Sequence, residues 1–298
     1  MIYCLRPLVL VLCLLPVAAK ADGPRVLTDG PTVLTDMPVV QSLVAQVMGD
    51  LGTPQVLLQQ GADLHSFQLR PSQVQAIAAA DVLFWVGPEL TPWLQDTIDA
   101  IGPASQTVAL LNAPGVAQRG YDQAGTDPHA WLDPANAMVW LDVIAAELSA
   151  RDQINQPTYT ANAAAAKAAI LRLDADIKAI LAPAAAAPLV VYHDAYGYFS
   201  TRYGLNIVGE LELGDASAPS AERLAGIRAA LQSEGAVCIF PEAQHDPKLL
   251  MSVVEGTGVR VGAAVDPEGT SLPYGPELYG ALMIGLASAI ADCVAQEG

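Results

Sequence analysis

The sequence predicts an α/β protein of two lobes with mostly parallel sheets, joined by one long rigid helix. Short apolar runs alternate with helical stretches before residue 152 and again after residue 186. Between them, residues 157–181 are rich in alanine and contain no glycine, which is typical of a single long helix. Alternating strands and helices favour parallel sheets, because each crossover places a helix against the sheet.

Local patterns place the elements of the first lobe. Apolar runs predict strands over residues 33–35, 55–58, 82–86 and 107–111. Helices are predicted over residues 39–47, 71–80 and 135–148. Ser72 is the expected N-cap of the second helix. Asp133 and Pro134 mark the start of the third, since Asp caps well and Pro suits the first helical position.

The second lobe repeats this rhythm without a sequence repeat. Strands are predicted over residues 189–192, 207–208, 236–240 and 259–261. Helices are predicted over residues 195–203, 220–232, 247–256 and 277–295. We therefore expect a signal peptide over 1–21, a first lobe over 22–152, a connecting helix over 153–185 and a second lobe over 186–298.

The first 21 residues have the features of a cleavable export signal. Arg6 precedes a short apolar run that ends at Ala19, and small residues around Lys20 favour cleavage after Ala21. The run is too short to span a bilayer comfortably. No later stretch of about 18 uncharged apolar residues occurs, so we expect a soluble, exported mature protein.

Charge and cysteine content narrow the function classes. Cleavage after residue 21 leaves 12 basic and 31 acidic side chains, a formal charge of −19, which argues against nucleic acid or anionic membrane as a partner. Cys238 and Cys293 remain, and an exported protein with two cysteines most often joins them. Neither belongs to a Cys-x-x-Cys pair, so a thiolate metal site is not expected.

Three of the four histidines have similar settings. His65 and His193 follow apolar, strand-like runs, and His129 directly precedes a helix. Ligands of open parallel sheets lie beyond the carboxyl ends of the strands, so side chains from both lobes can reach one cleft. Three neutral imidazoles suit a borderline-soft divalent metal such as zinc. The fourth, His245, precedes a helix start, and we interpret it as a surface residue.

Five segments carry a family pattern: GADLHSFQLRPS (61–72), DPHAWLDP (127–134), HDAYGYF (193–199), CIFPE (238–242) and DPEG (266–269). They resemble the metal-specific solute-binding proteins of bacterial ABC importers, and within them the periplasmic zinc-binding class. The segments spread over nearly the whole mature chain. The resemblance implies a metal site between two lobes that a long helix connects.

The resemblance also implies a ligand set. The metal ligands would be His65, His129, His193 and Asp266. Water, Glu242 or Asp63 remain alternatives for the fourth position. Manganese-binding relatives usually have Glu where His193 stands, and imidazole there favours zinc. Side chains that would hold the imidazoles in place are Asp133, Asp194 and Tyr196.

One segment departs from many zinc-binding relatives, which carry a long loop rich in His, Asp and Glu before the second histidine. Here the stretch from Asn112 to Thr126 is short and contains no histidine. We therefore expect no auxiliary metal sites in this loop. Zinc would reach the main site directly or from a separate periplasmic chaperone.

The expected function is capture of Zn(II) as a transported ligand in the periplasm and its delivery to an ABC permease in the inner membrane. We expect a monomer without enzymatic activity, and only modest, loop-centred changes on metal release. Three other interpretations remain: a manganese or iron solute-binding protein, a three-histidine zinc hydrolase with Glu242 as base, and an exported structural protein with incidental histidines.

Overall fold

The computed structural model describes Met1 and residues 30–64, 67–101, 106–121, 125–212 and 221–296. The predicted signal peptide and its cleavage site lie outside the described residues, as does His65. The described chain forms two α/β lobes, each built on a four-stranded sheet.

The first lobe is built on a parallel sheet. Its strands are β1 (Val33–Thr35), β2 (Gln55–Val56), β3 (Val82–Trp85) and β4 (Gln106–Ala109). They lie in the order β2-β1-β3-β4, and every pair is parallel. Strand β3 is buried along its whole length, which explains its uninterrupted apolar sequence.

Four helices accompany this sheet. They are α1 (Pro38–Met48), α2 (Pro71–Ala79), α3 (Pro92–Ile101) and α4 (Pro134–Arg151). Helix α4 begins as predicted, because Asp133 Oδ1 accepts a hydrogen bond from the Ala135 N–H at 2.9 Å. The predicted cap at Ser72 is wrong, since α2 already begins at Pro71. Instead, Gln73 Oε1 accepts a hydrogen bond from the Arg70 N–H at 2.8 Å.

A short hairpin lies in the stretch expected to be a plain loop. Strand β5 (Arg119–Gly120) pairs antiparallel with β6 (Thr126–Asp127). The register places Arg119 opposite Asp127. The hairpin therefore brings a cation beside the carboxylate that comes two residues before His129.

The second lobe repeats the topology of the first. Its strands are β7 (Pro188–His193), β8 (Asn206–Glu212), β9 (Cys238–Ile239) and β10 (Arg260–Val261). They lie in the order β10-β9-β7-β8 and are all parallel. Its helices are α6 (Gly197–Tyr203), α7 (Ala221–Ser233), α8 (Lys248–Val254) and α9 (Leu278–Ala295). When the strands of each lobe are numbered one to four along the chain, both sheets have the order 2-1-3-4.

Helix α5 (Gln156–Leu181) joins the lobes and matches the predicted long helix. Its 26 residues correspond to about 39 Å at about 1.5 Å per residue. It packs against α1 and α4 of the first lobe and against α9 of the second. The connector is therefore part of the protein's core.

Helix α9 closes the second lobe. Within the described chain it is the helix whose length and composition would allow it to cross a bilayer. Leu282, Leu286 and Ile290 are nevertheless buried in the main core, as expected for a core helix. A disulfide between Cys293 in α9 and Cys238 in β9 confirms the expected pairing.

Candidate metal centre

Two of the predicted ligands meet where the lobes face each other. The Nε2 atoms of His129 and His193 lie 3.4 Å apart, and their rings are inclined by 62°. Both residues are buried, at 0% and 4% exposure. Two nitrogens that each lie about 2.05 Å from one tetrahedral zinc ion are about 3.3 Å apart. The separation therefore fits a single ion shared by the two rings.

His129 is held from behind by Asp127 at the end of β6. Asp127 Oδ1 accepts hydrogen bonds from the backbone N–H of His129 at 3.0 Å and from its ring Nδ1 at 2.9 Å. Asp127 is fully buried. Because a carboxylate can only accept, Nδ1 carries the proton, and Nε2 presents its lone pair to His193.

His193 ends β7 and is held by a carboxylate in the same way. Its Nδ1 lies 2.8 Å from both carboxylate oxygens of Glu242. Glu242 follows β9, the strand beside β7, at the point where the strand order of the sheet reverses. Parallel α/β sheets bind their ligands at such a point, so the second lobe builds its part of the site in the expected place.

Glu242 remains ionised because its neighbours favour the charged form. Burial alone would raise the pKa of Glu242, but the His193 ring, the Tyr196 hydroxyl and His245 together hold it below its ordinary value. Tyr196 donates its hydroxyl to Glu242 Oε1 at 2.8 Å. Burial, followed by the charge of Glu242, raises the pKa of Tyr196 well above its ordinary value, so Tyr196 stays a donor.

Of the three side chains expected to hold the imidazoles, Tyr196 reaches His193 through Glu242. Asp133 caps α4, and Asp194 lies 3.8 Å from Arg119. Asp127 was not among the predicted partners, although a carboxylate two residues before a histidine is a local signal for such a partner. Glu242, an alternative for the fourth ligand, contacts the Nδ1 edge of His193 and not the gap between the Nε2 atoms.

Asp266 lies in a loop that its own carboxylate organises. Oδ1 accepts hydrogen bonds from Gln244 Nε2 and the Gly269 N–H, both at 2.7 Å. Oδ2 accepts from the Ser271 N–H at 2.7 Å and from its hydroxyl at 2.5 Å. Among the residues that the structure describes, no group of three or more His, Cys, Asp or Glu side chains is arranged to hold a metal. The role of Asp266 as a ligand stays a prediction.

The chain that leads to His65 runs along this same loop. The Gly61 N–H donates to the Thr270 carbonyl at 2.8 Å, and Gln60 Nε2 donates to the Leu272 carbonyl at 3.3 Å. On the other side of the loop, Trp131 Nε1 donates to the Pro267 carbonyl at 2.8 Å. The Trp131 ring in turn contacts the His129 ring, with centroids 5.2 Å apart. The residues just before His65 and the Trp131 side chain beside His129 therefore both contact the loop that contains Asp266.

His245, interpreted from the sequence as a surface residue, is only partly exposed. Its ring stacks on Tyr192 with centroids 4.2 Å apart, and its Nε2 lies 3.7 Å from Glu242 Oε2. The side chain is 28% exposed. His245 therefore contributes to the surroundings of Glu242.

Comparisons with known proteins agree with this geometry. A family model described as "ZnuA: Zinc-uptake complex component A periplasmic" matches residues 33–293. The high-affinity zinc uptake system protein ZnuA of Paracoccus denitrificans (strain Pd 1222) is 45% identical, covering 93% of this chain and 93% of that protein.

Solved structures with the same fold include one described as the crystal structure of ZnuA. It is 24% identical with a TM-score of 0.79, covering 90% of this chain and all of that one. The periplasmic zinc-binding protein TroA from Treponema pallidum is 20% identical with a TM-score of 0.80, covering the same shares. These likenesses confirm the predicted fold of two α/β lobes.

Proposed function

Because the chain belongs to the family of periplasmic zinc-uptake proteins, we propose that it captures Zn²⁺ in the periplasm and passes the ion to an ABC permease in the inner membrane. Zinc is the cargo of the protein and not a resident cofactor. The protein acts as the solute-binding component of the importer.

The observation that carries this proposal is the facing pair of His129 and His193. Two buried rings from different lobes point their Nε2 atoms at one gap, and each Nδ1 is held by a buried carboxylate. Such carboxylate partners fix the imidazole orientation and raise its basicity, and they are the usual supports of zinc-binding histidines. His65 is the proposed third ligand.

Asp266 is the proposed fourth ligand, with water as the alternative. To reach the ion, its carboxylate has to give up part of its hydrogen bonding within the 266–271 loop. Three neutral imidazoles and one carboxylate leave a formal charge of +1 on the complex. Asp127 and Glu242 lie directly behind two of the ligands and compensate this charge, so the buried ion is stabilised.

The zinc hydrolase alternative needs Glu242 as its base, and the contacts of Glu242 disfavour that role. A catalytic zinc needs an open position and a carboxylate that can reach the bound water. Glu242 and Asp127 are both committed to the Nδ1 edges of the histidines, away from the gap. We therefore favour a binding protein without enzymatic activity. A manganese carrier is disfavoured because imidazole nitrogens suit zinc better than the harder Mn²⁺ ion. An iron carrier is disfavoured because the chain belongs to a family of zinc-uptake proteins.

The remaining parts of the proposal follow from the sequence. Residues 1–21 direct export, and cleavage after Ala21 releases the mature protein. Its lobes comprise residues 22–152 and 186–298, with the connector over residues 153–185. It works as a monomer and takes zinc directly or from a periplasmic chaperone.

The four histidines allow a direct test, because each can be replaced in turn. Wild-type protein should bind one zinc ion per chain in a competition titration with a chromophoric chelator. The His65→Ala, His129→Ala and His193→Ala variants should each lose at least about 100-fold in affinity, at or beyond the upper end of the loss caused by removing an outer partner. His245→Ala should lose much less, because its ring lies beside Glu242 and is not a proposed ligand. Anomalous scattering at the zinc edge from crystals of the complex identifies the ligands. Two or more tight ions per chain, or full affinity after loss of His65 and His193, would contradict the proposal.

A further inference from the structure

Arg119 connects the carboxylate behind His129 to the second lobe. Its Nη1 donates to Asp127 Oδ2 at 2.9 Å, while Asp127 Oδ1 holds the ring of His129. The same Nη1 lies 3.8 Å from Asp194, the residue that follows His193. Asp127 is fully buried, and the Arg119 side chain is about one-third exposed. A single guanidinium therefore lies beside the neighbours of two proposed zinc ligands.

The guanidinium lies directly on Gly197, the first residue of α6. A Cβ atom at Gly197 would be 1.7 Å from Arg119 Nη1 and 2.1 Å from its Cζ, far closer than real contacts allow. Gly197 does not belong to the glycines with positive φ, so its backbone does not require glycine. What the position requires is space, and that space is filled by Arg119.

Tyr198 fastens both strands of the β5–β6 hairpin to the same end of α6. Its hydroxyl oxygen accepts a hydrogen bond from the Arg119 N–H at 2.8 Å and donates to the Asp127 carbonyl at 3.0 Å. The hairpin belongs to the first lobe and α6 to the second. The hairpin is therefore attached to α6 through a backbone contact as well as through the guanidinium.

We propose that Arg119 is a positioning residue for zinc, which fixes Asp127 behind His129 and, by lying on Gly197, ties the two halves of the metal site together. This inference rests on the proposed function. Loss of the guanidinium removes a charge-assisted hydrogen bond from a buried carboxylate, and that carboxylate then holds the His129 ring less firmly. Loss of the group that directly holds a metal-binding histidine typically weakens metal binding about 10- to 100-fold. Arg119 holds that group, so we expect an effect near the lower end of this range.

The test is a double-mutant cycle on the exported, processed protein. Arg119→Ala should weaken zinc binding about 10-fold or more in the competition titration. Gly197→Ala should cause a similar loss, because the added methyl group expels the guanidinium. In the Arg119→Ala background, Gly197→Ala should have almost no further effect, since the space is then empty. Arg119→Lys should recover part of the affinity, because an ammonium group can still pair with Asp127.

Two controls separate positioning from a general loss of structure. Gly226→Ala is matched to Gly197→Ala, since Gly226 lies in α7 and an added Cβ atom there would meet no other atom within 4 Å, and it should leave zinc affinity unchanged. Arg172→Ala removes an exposed cation from α5 and should also have no effect. Thermal unfolding of the metal-free variants shows whether each one folds. If Arg119→Ala fails to fold, Gly197→Ala and Arg119→Lys still decide the question.

Unchanged zinc affinity in Arg119→Ala and Gly197→Ala, or losses that simply add in the double variant, would overturn this inference. Failure of the proposed function looks different, because the wild-type protein would then not bind zinc tightly. Wild-type affinity that depends on His129 but not on Arg119 refutes the positioning role alone.

Discussion

Asp36 Oδ2 accepts a hydrogen bond from the Val86 N–H at 2.9 Å and so joins the ends of β1 and β3, where the strand order of the first sheet reverses. In the second sheet, His193 and Glu242 form the corresponding contact between the ends of β7 and β9. The two lobes thus use the same topological position for different purposes. In the first lobe the contact at this position joins the buried backbone of two strands, and in the second lobe it supports the proposed metal ligand His193.

Asp36 should make stability depend on pH. Burial raises its pKa to about 7, against the smaller opposing effect of hydrogen bonds from Val86 and Met37. Below about pH 4 the carboxyl is protonated in both the folded and unfolded states. As pH rises towards 7 the unfolded state ionises first, so the free energy of unfolding falls, by at most about 1.4 kcal/mol per pH unit. Above about pH 7 the carboxyl is ionised in both states, so the stabilisation from its protonated form is lost and Asp36 no longer makes stability depend on pH.

The Asp36→Asn variant should not show this fall in the free energy of unfolding between about pH 4 and 7. Urea unfolding of metal-free protein at several values between pH 5 and 8 measures it as the difference between wild type and variant. Asp50→Asn, at an exposed position, is the control and should follow the wild type. Parallel pH profiles for wild type and Asp36→Asn would show that Asp36 ionises normally.

Glu242→Gln should weaken zinc binding about 10- to 100-fold, because the amide keeps the shape of the side chain but removes the charge behind His193. Competition titration measures the loss. Glu255→Gln, at an exposed position, controls for the change in net charge. Equal affinity of Glu242→Gln and Glu255→Gln would mean that the carboxylate does not support the ligand.

Asp266→Asn should reduce zinc affinity at least about 10-fold if the carboxylate enters the coordination sphere. The variant also perturbs the loop, so a second variant is needed. Ser271→Ala removes the hydroxyl that donates to Asp266 Oδ2 and leaves the carboxylate in place. It should change zinc affinity little. Affinities equal to that of the wild type in both variants would indicate that water fills the fourth position.

Reduction of the Cys238–Cys293 disulfide should destabilise the protein by about 4 kcal/mol in the chain-entropy model, since the bond closes a loop with a sequence separation of 55 residues. Urea unfolding with and without dithiothreitol measures this difference. A Cys238→Ala, Cys293→Ala variant should be insensitive to the reductant. A wild-type midpoint that does not move on full reduction would show that the link adds no stability.

Most of the strands and helices could be predicted because their signals are local. The apolar run that became β3 and the Asp133–Pro134 helix start need no information from elsewhere in the chain. The disulfide followed from the two cysteines left after the expected cleavage. Family membership was also predicted from short segments, and the matching family model confirms it.

The missed features depend on pairing between distant residues. The β5–β6 hairpin has two residues per strand, too few for a period of two to be visible. The contact of Glu242 with His193 depends on β9 lying beside β7, a strand order that no local pattern encodes. His245 was interpreted as a surface residue from the helix start that follows it, whereas its stacking on Tyr192 also depends on that strand order.

Helix α5 limits how the importer can sense a loaded carrier. Because it lies against α1 and α4 on one side and α9 on the other, we expect that a wide separation of the lobes would break its packing against one of them. Full and empty forms should present almost the same outline to the membrane. We therefore expect a transporter to distinguish the two forms by the short loops at the mouth of the cleft.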